Sequence, residues 1–167
     1  MSGRDREVTK VRRTPIKRKE AKRIIEAAEA FRVRANEYEF ELAEILQLGE
    51  DKLLVLDRNP VMLMLRSGEI VPHARALGAL VKCPTVRVDE RAVPHVLNGA
   101  DVMVPGIVAH DEFRRGEAVA VLTQSGRTVG TGLALMSSEE LQHLRKGKAI
   151  RVLHRVGDEI WKLTESL

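Results

Sequence analysis

The sequence predicts an α+β fold in two parts. A small N-terminal α/β-sheet domain, in which one helix packs on an antiparallel sheet, precedes a closed or nearly closed β-barrel, mostly antiparallel, with two short helices. Three observations predict it. A stretch with one apolar face at helical spacing occupies residues 17 to about 34. Short apolar runs broken by turn signals follow between residues 53 and 65. From residue 86 onward, brief β-rich runs recur between Gly, Pro, Asn and Ser signals, interrupted by a strong helix-start signal at Ser137.

Taken in order, residues 1–13 are polar, basic and without periodicity, and read as a flexible arm. Thr14-Pro15 reads as a helix start, a capping hydroxyl followed by proline at the first helical position. In the helix that follows, Ile24, Ala28 and Phe31 share a face, as do Ala21, Ile25 and Ala28. Leu53 to Leu56 and Val61 to Leu65 read as strands, separated at residues 57–60 and ended by Ser67-Gly68. Residues 73–80, after Pro72, suit a short helix. The first part ends near Cys83-Pro84, which divides the chain into an arm (1–13), an N-terminal domain (14–84) and a C-terminal domain (85–167).

The second part opens with a strand at Val86-Arg87-Val88, and Asp89 caps a helix of about residues 91–97. Asn98-Gly99 ends that helix, with Gly99 suited to a left-handed terminal position. Residues 102–104 extend again and Pro105-Gly106 turns the chain. Residues 118–123 and 128–135 form a hairpin around Ser125-Gly126. Ser137 and Glu140 are spaced as a capping box for a helix ending at Lys146-Gly147. Residues 149–156 and 159–163 read as the last two strands, separated by Gly157-Asp158.

Composition narrows the function. Aromatics make up 3% of the chain, with one tryptophan, Trp161, so the core is aliphatic and a base-stacking platform of two or three exposed rings is disfavoured. The formal charge is +4, and residues 1–23 alone hold ten Lys/Arg against three acids. Such a segment suits a polyanion, through counterion release, or serves as a solvated tail. The single cysteine, Cys83, excludes an internal disulfide and a cysteine zinc site, and its apolar neighbours place it in a core. The N-terminus lacks a secretory h-region and no apolar run approaches the ~20 residues of a bilayer span, so a cytoplasmic protein without a membrane partner is expected.

Catalytic signatures are missing. Gly130-Thr131-Gly132 lacks nucleotide-binding spacing and lies in a hairpin pattern. His73, His95, His110, His143 and His154 are scattered singly. Asp89-Glu90 are chain neighbours that point apart, and no serine sits in a Gly-x-Ser-x-Gly elbow. No enzyme activity, cofactor or metal is expected.

The segment "VPHVLNGADVMVPGI", residues 93–107, strongly resembles the signature of the PUA domain. "RRGEAVAVLTQSGRTVGTGLALMSSEEL" looks like its central hairpin and "KGKAIRVLHRVGDEIW" like its closing strands. The resemblance covers residues 85–163 and implies a PUA pseudo-barrel. With a helix and small sheet ahead of it, the whole chain is similar to the malignant-T-cell-amplified-sequence family and its archaeal relatives. That resemblance implies an RNA-binding protein of translation initiation or ribosome recycling. Its implied partners are tRNA or small-subunit rRNA, the small ribosomal subunit, and a translation-factor partner docked through the N-terminal domain. An accessory subunit presenting RNA to a separate modification enzyme and a partner-docking module are the alternatives. In modification enzymes the PUA domain is an appendage to a much larger catalytic domain, and about 84 residues precede it here.

Carried onto this chain, the family's RNA surface is Asn98, Gly99, Ala100, Asp101, Val102, Met103, Val104, Pro105, Gly106 and Ile107, with Lys148, Arg151, His154 and Arg155 near the last strand. Glycines let a phosphodiester backbone approach, and the cations pair with it. Each has a plainer role as well. Gly99 and Gly106 serve as cap and turn, Asp101 as a turn former, Met103, Ile107, His154 and Trp161 as packing residues, and Arg114-Arg115 as a solvated turn.

Overall fold

In the computed structural model, which describes residues 11–167, the chain opens with a strand. Strand β1 (Arg12–Ile16) runs antiparallel to β3 (Ala43–Leu48), with Thr14 opposite Ile45. Thr14-Pro15 therefore lies inside a strand and does not start the helix. Proline is tolerated there because β1 is the sheet edge, where a missing N–H costs no ladder bond. Arg13 in this strand clamps Glu44 through its side-chain fork (Nη2 to Oε1, 2.9 Å). The rest of the expected arm, residues 1–10, lies outside the described residues.

Helix α1 (Arg18–Ala28) follows from Lys17 and continues into a 3-10 turn, Glu29–Phe31, that ends at Arg32 in the left-handed region (φ 58°). Its apolar stripe, Ala21, Ile24, Ile25 and Ala28, packs on the sheet as the spacing predicts. After β2 (Arg34–Ala35), β4 (Asp51–Leu56) and β5 (Asn59–Met64) form a hairpin whose two loop residues, Asp57 and Arg58, both have positive φ (48° and 68°). Such a primed turn matches the twist of the strands it joins. The Asp57 carboxylate fixes it by accepting N–H bonds from Glu41 and Leu42. β6 (Ile70–Pro72) completes a five-stranded sheet of order β1-β3-β4-β5-β6. Only Ala74–Ala76 form a 3-10 turn where a longer helix is expected, and β7 (Val81–Lys82) pairs with β2.

The second half comprises β8 (Thr85–Val88), α2 (Val93–Leu97), β9 (Val102–Met103), a 3-10 turn Val104–Gly106, and β10 (Ile107–His110). These are followed by β11 (Ala118–Thr123), β12 (Thr128–Ala134), α3 (Ser138–His143), β13 (Lys148–Arg155) and α4 (Glu159–Thr164). The sheet order is β10-β8-β11-β12-β13-β9, antiparallel except where β8 meets β11. The capping box at Ser137 and Glu140 forms as read, although α3 stops at His143. Residues 159–163, expected as a strand, are helical. Asp158 caps this helix by accepting the Trp161 N–H, and the helix turns Ile160 and Leu163 onto the first core.

Gly130 and Gly132 are needed where β13 crosses β12. A Cβ on Gly132 would lie 1.9 Å from the Arg151 carbonyl oxygen, and one on Gly130 would lie 2.5 Å from that of His154. This Gly-Thr-Gly run is a strand-packing device. Cys83, expected in a core, is half-buried.

Candidate nucleic-acid interface

The end of α2 and the last strand meet through side-chain hydrogen bonds. Gly99 ends the helix with φ 99°, a conformation that penalises any side chain. The Arg155 guanidinium packs on Gly99, where a Cβ would lie 3.6 Å from Cζ, and its Nε–H donates to the Leu97 carbonyl (2.8 Å). Asp101 accepts the Val152 N–H (3.1 Å) and lies 3.5 Å from Lys148 Nζ. Asp101 is thus a strap between β9 and β13.

The surface carried over from the sequence divides on burial. Asn98, Gly99, Ala100, Met103, Pro105, Lys148 and Arg151 are exposed, while Asp101, Gly106, Ile107 and Arg155 are half-buried. Val102 and Val104 are 1% and 8% exposed and belong to the barrel core, so they hold this surface rather than form it. His154 is wholly buried and is likewise removed from direct contact with a ligand. Its Nδ1–H donates to Asp158 (2.9 Å), a carboxylate that also accepts N–H bonds from Arg155 and Trp161. Burial would raise the Asp158 pKa, but His154 and those N–H donors outweigh it and hold the carboxyl below its usual range.

The strand pairing adds cations that the sequence reading did not single out. Lys148 lies opposite Met103, and the Val104 N–H donates to the Gly147 carbonyl. Exposed Arg145 and Lys146 therefore sit on the loop beside Met103 and Pro105. Residues 142–157 contain no acid, a signal available in the sequence. Arg114-Arg115, by contrast, behaves as a turn, with Arg115 paired to Glu140 (3.1 Å).

A groove of about 1120 Å³ separates this edge from the turn between β5 and β6. Its lining holds three arginines, Arg66, Arg151 and Arg155, against five acids, Asp51, Glu69, Asp101, Asp158 and Glu159. The Glu69 carboxyl is held below its usual range, first by the Ser67 hydroxyl and also by the charge of Arg151. An acidic lining disfavours phosphate inside the groove, and Arg151 stands at its rim, exposed and shared with the outer edge.

Behind the interface the halves are locked together. The Thr131 hydroxyl donates to the Pro72 carbonyl (2.7 Å). His73 and His154 stack with ring centroids 4.4 Å apart, and the Arg75 guanidinium lies 3.7 Å over the Trp161 ring. His73 Nδ1 accepts the Arg75 N–H, which leaves Nε2–H to donate to the Thr164 hydroxyl (3.2 Å). Burial, with help from the neighbouring His154 and Arg75, pushes the His73 pKa down to about 3.

Among the described residues, no helix is long and apolar enough to cross a membrane. Nor is any group of three His, Cys, Asp or Glu side chains placed to hold a metal ion.

The PUA domain family matches residues 84–156. An uncharacterised protein of Methanocaldococcus jannaschii is 35% identical over 121 residues, which span 71% of this chain and 74% of that protein. Translation machinery-associated protein 20 of Schizosaccharomyces pombe is 32% identical over 126 residues, 68% of this chain and 67% of that one. The crystal structure of a PUA domain protein from Aeropyrum pernix, in a tartrate complex, superposes with a TM-score of 0.80 at 26% identity, covering 93% of this chain and 92% of that one.

Proposed function

We propose that this chain, which belongs to the PUA-domain family that includes translation machinery-associated protein 20 and archaeal relatives, is an RNA-binding protein of the translation apparatus. It holds tRNA or small-subunit rRNA against the outer edge of its PUA half, residues 85–167. The N-terminal half, residues 14–84, is free to face the small subunit or a translation-factor partner, in the cytoplasm.

One observation carries the reading. The acid-free run 142–157 folds so that Arg145, Lys146, Lys148 and Arg151 are exposed along one sheet edge, beside exposed Met103 and Pro105. Of these four, Lys148 lies 3.5 Å from Asp101 and Arg151 faces Glu69 across the groove, while Arg145 and Lys146 have no ion pair among the described residues. Gly99 and Gly106 present backbone without side chains at the same edge, which favours close approach of a phosphodiester. No ring platform accompanies the cations, because Trp161 is covered by Arg75 and the one exposed large aromatic is Tyr38, in the other half. Reading is therefore of backbone and shape, which suits a folded RNA better than a single-strand sequence code.

The test is binding of purified protein to tRNA, small subunits and an unrelated duplex RNA at two salt concentrations. An Arg145→Ala/Lys146→Ala/Arg151→Ala variant is expected to bind at least about tenfold more weakly at low salt. It should also lose roughly 2 from the salt slope, at about 0.7–0.9 per phosphate contact. Unchanged affinity and slope in that variant would remove the PUA edge from the function.

A further inference from the structure

We propose that the N-terminal half carries a second phosphate-binding face, formed by Arg12, Lys17, Lys19, Lys22 and Arg23, which takes the backbone of a second RNA segment. The inference goes beyond the PUA-edge reading and uses none of its residues. Residues 12–23 contain seven Lys/Arg and one acid, Glu20. Two of the seven are occupied by the fold. Arg13 is clamped to Glu44, and Arg18 donates to the Phe40 carbonyl (2.6 Å) with its guanidinium over the Phe40 ring. The other five are exposed, and their side chains have no hydrogen bond or ion pair among the described residues.

Their placement is rigid. Ala21, Ile24, Ile25 and Ala28 bury the opposite face of α1 against the sheet, so the helix cannot roll its cations away. Lys19, Lys22 and Arg23 stand at i, i+3 and i+4 on one face, within about 6 Å along the axis. Lys17 precedes α1 as its cap residue, and Arg12 opens the edge strand that leads into it. Exposed Glu26, three and four residues after Arg23 and Lys22, offsets these charges only in part, and a bound polyanion would relieve the repulsion that is left.

The occupant is argued from what the patch lacks. Among the described residues the exposed large hydrophobics are Tyr38, Leu42, Leu97, Met103, Val108 and Leu144, and none is on β1 or α1. A protein interface draws its energy from buried aromatic or aliphatic anchors, which this face does not offer. A face where cations outnumber the two exposed acids of α1, Glu20 and Glu26, fits a partner bound by counterion release, as RNA is. The patch shares no residue with the PUA edge: Arg12 is on β1, the sheet edge opposite β6, while α1 crosses the sheet and reaches β6, which adjoins the PUA half. Because the halves are locked at His73, Thr131 and Thr164, the two cationic faces keep a fixed separation.

The experiment compares the full-length protein with two variants. One is Lys17→Ala/Lys19→Ala/Lys22→Ala/Arg23→Ala, all exposed positions, the last three inside α1, where alanine favours helix. The other is the PUA-edge triple variant. Affinity for a duplex RNA and for small subunits is measured across a salt series, with far-UV CD confirming helix content. The α1 variant should lose about 3 from the magnitude of the salt slope and bind ten- to a hundredfold more weakly at low salt. The loss should add to that of the PUA-edge variant. An unchanged slope in a folded α1 variant overturns the second face, while loss confined to the PUA-edge variant leaves the proposed function standing. Loss confined to the α1 variant supports the second face and removes the PUA-edge reading. If neither variant changes RNA binding, both fail. Binding of poly-glutamate that matches RNA in affinity, and is lost in the α1 variant, would reassign the face to an acidic protein.

Discussion

The apolar cluster of the PUA half draws only on residues 86–152, whereas that of the N-terminal half takes in Ala118, Leu133, Leu153, Ile160, Leu163 and Leu167. One half closes its own core, and the other is finished by its neighbour. Strand β12 shows how: Val129 and Ala134 face the barrel interior, while Leu133 and the Thr131 hydroxyl serve the N-terminal side. Helix α4 goes further, since Ile160 and Leu163 pack on the first core although they follow the last barrel strand. The N-terminal half is thus less an appended module than a layer built on the PUA surface. A PUA domain joined to unrelated partners needs a core that closes without them, and the cluster of residues 86–152 has that property.

The largest expected effect comes from separating the halves. Residues 84–167 alone should unfold cooperatively and give a dispersed amide spectrum. Residues 1–83 alone would leave the inner side of Leu46, Leu53 and Leu63 partly uncovered, and should behave as a loose, dye-binding chain. A dispersed spectrum from 1–83 would break the asymmetry drawn above.

Gly132→Ala follows in size. The added Cβ meets the Arg151 carbonyl at 1.9 Å, a backbone atom that no rotamer change can move aside. A loss of about 4 kcal/mol or more is expected in denaturant unfolding, at the top of the range for single substitutions. Since β12 serves both clusters, signals from Trp161 and from the barrel should fall in one transition. Two separated transitions would show that the cores are not coupled there.

The legible parts of this fold were those whose signal is local. Ser137 and Glu140 announce their capping box within four residues, and Asn98-Gly99 announces its helix end within two. The strand at Arg12–Ile16 was hidden because its partner, Ala43–Leu48, lies some thirty residues on, while Thr14-Pro15 imitates a helix start. Helix α4 reads as a strand in the sequence because Ile160, Trp161 and Leu163 are β-prone, and its cap, Asp158, doubles as a turn residue after Gly157. The candidate site shows the same division. In β9, Val102 turns inward and Met103 outward, and in the 3-10 turn that follows Val104 is buried and Pro105 exposed, whereas a resemblance carries the whole segment over together. The position of Arg155 against Leu97, 58 residues away, has no sequence signal at all. For that reason Arg151 with Arg145 and Lys146 is a cleaner probe of RNA binding than Arg155, whose loss would also free the end of α2.

The smallest of these effects tests the joint itself. His73 belongs to the N-terminal half but is buried against His154 and Thr164 of the PUA half, and its pKa is pushed down to about 3. In the unfolded chain a histidine titrates near ~6.5. Between those values the unfolded state takes up a proton that the folded state refuses, so stability is full above pH ~6.5 and falls as the pH drops, at up to about 1.4 kcal/mol per unit. Asp158 adds to the fall only lower, in the carboxylate range, because its folded pKa is below its usual value. His73→Gln keeps an N–H donor near Thr164 but does not titrate. It should cost about 1–2 kcal/mol at neutral pH, the scale of one buried hydrogen bond, and flatten the stability curve between pH 6.5 and 4.5 by nearly one proton. Denaturant unfolding at a series of pH values reads both numbers. An unchanged slope in the variant would mean that the proton is taken up elsewhere and that the joint admits water. The N-terminal core would then depend on its neighbour through apolar contact and the Thr131–Pro72 hydrogen bond, without a contribution from the histidine.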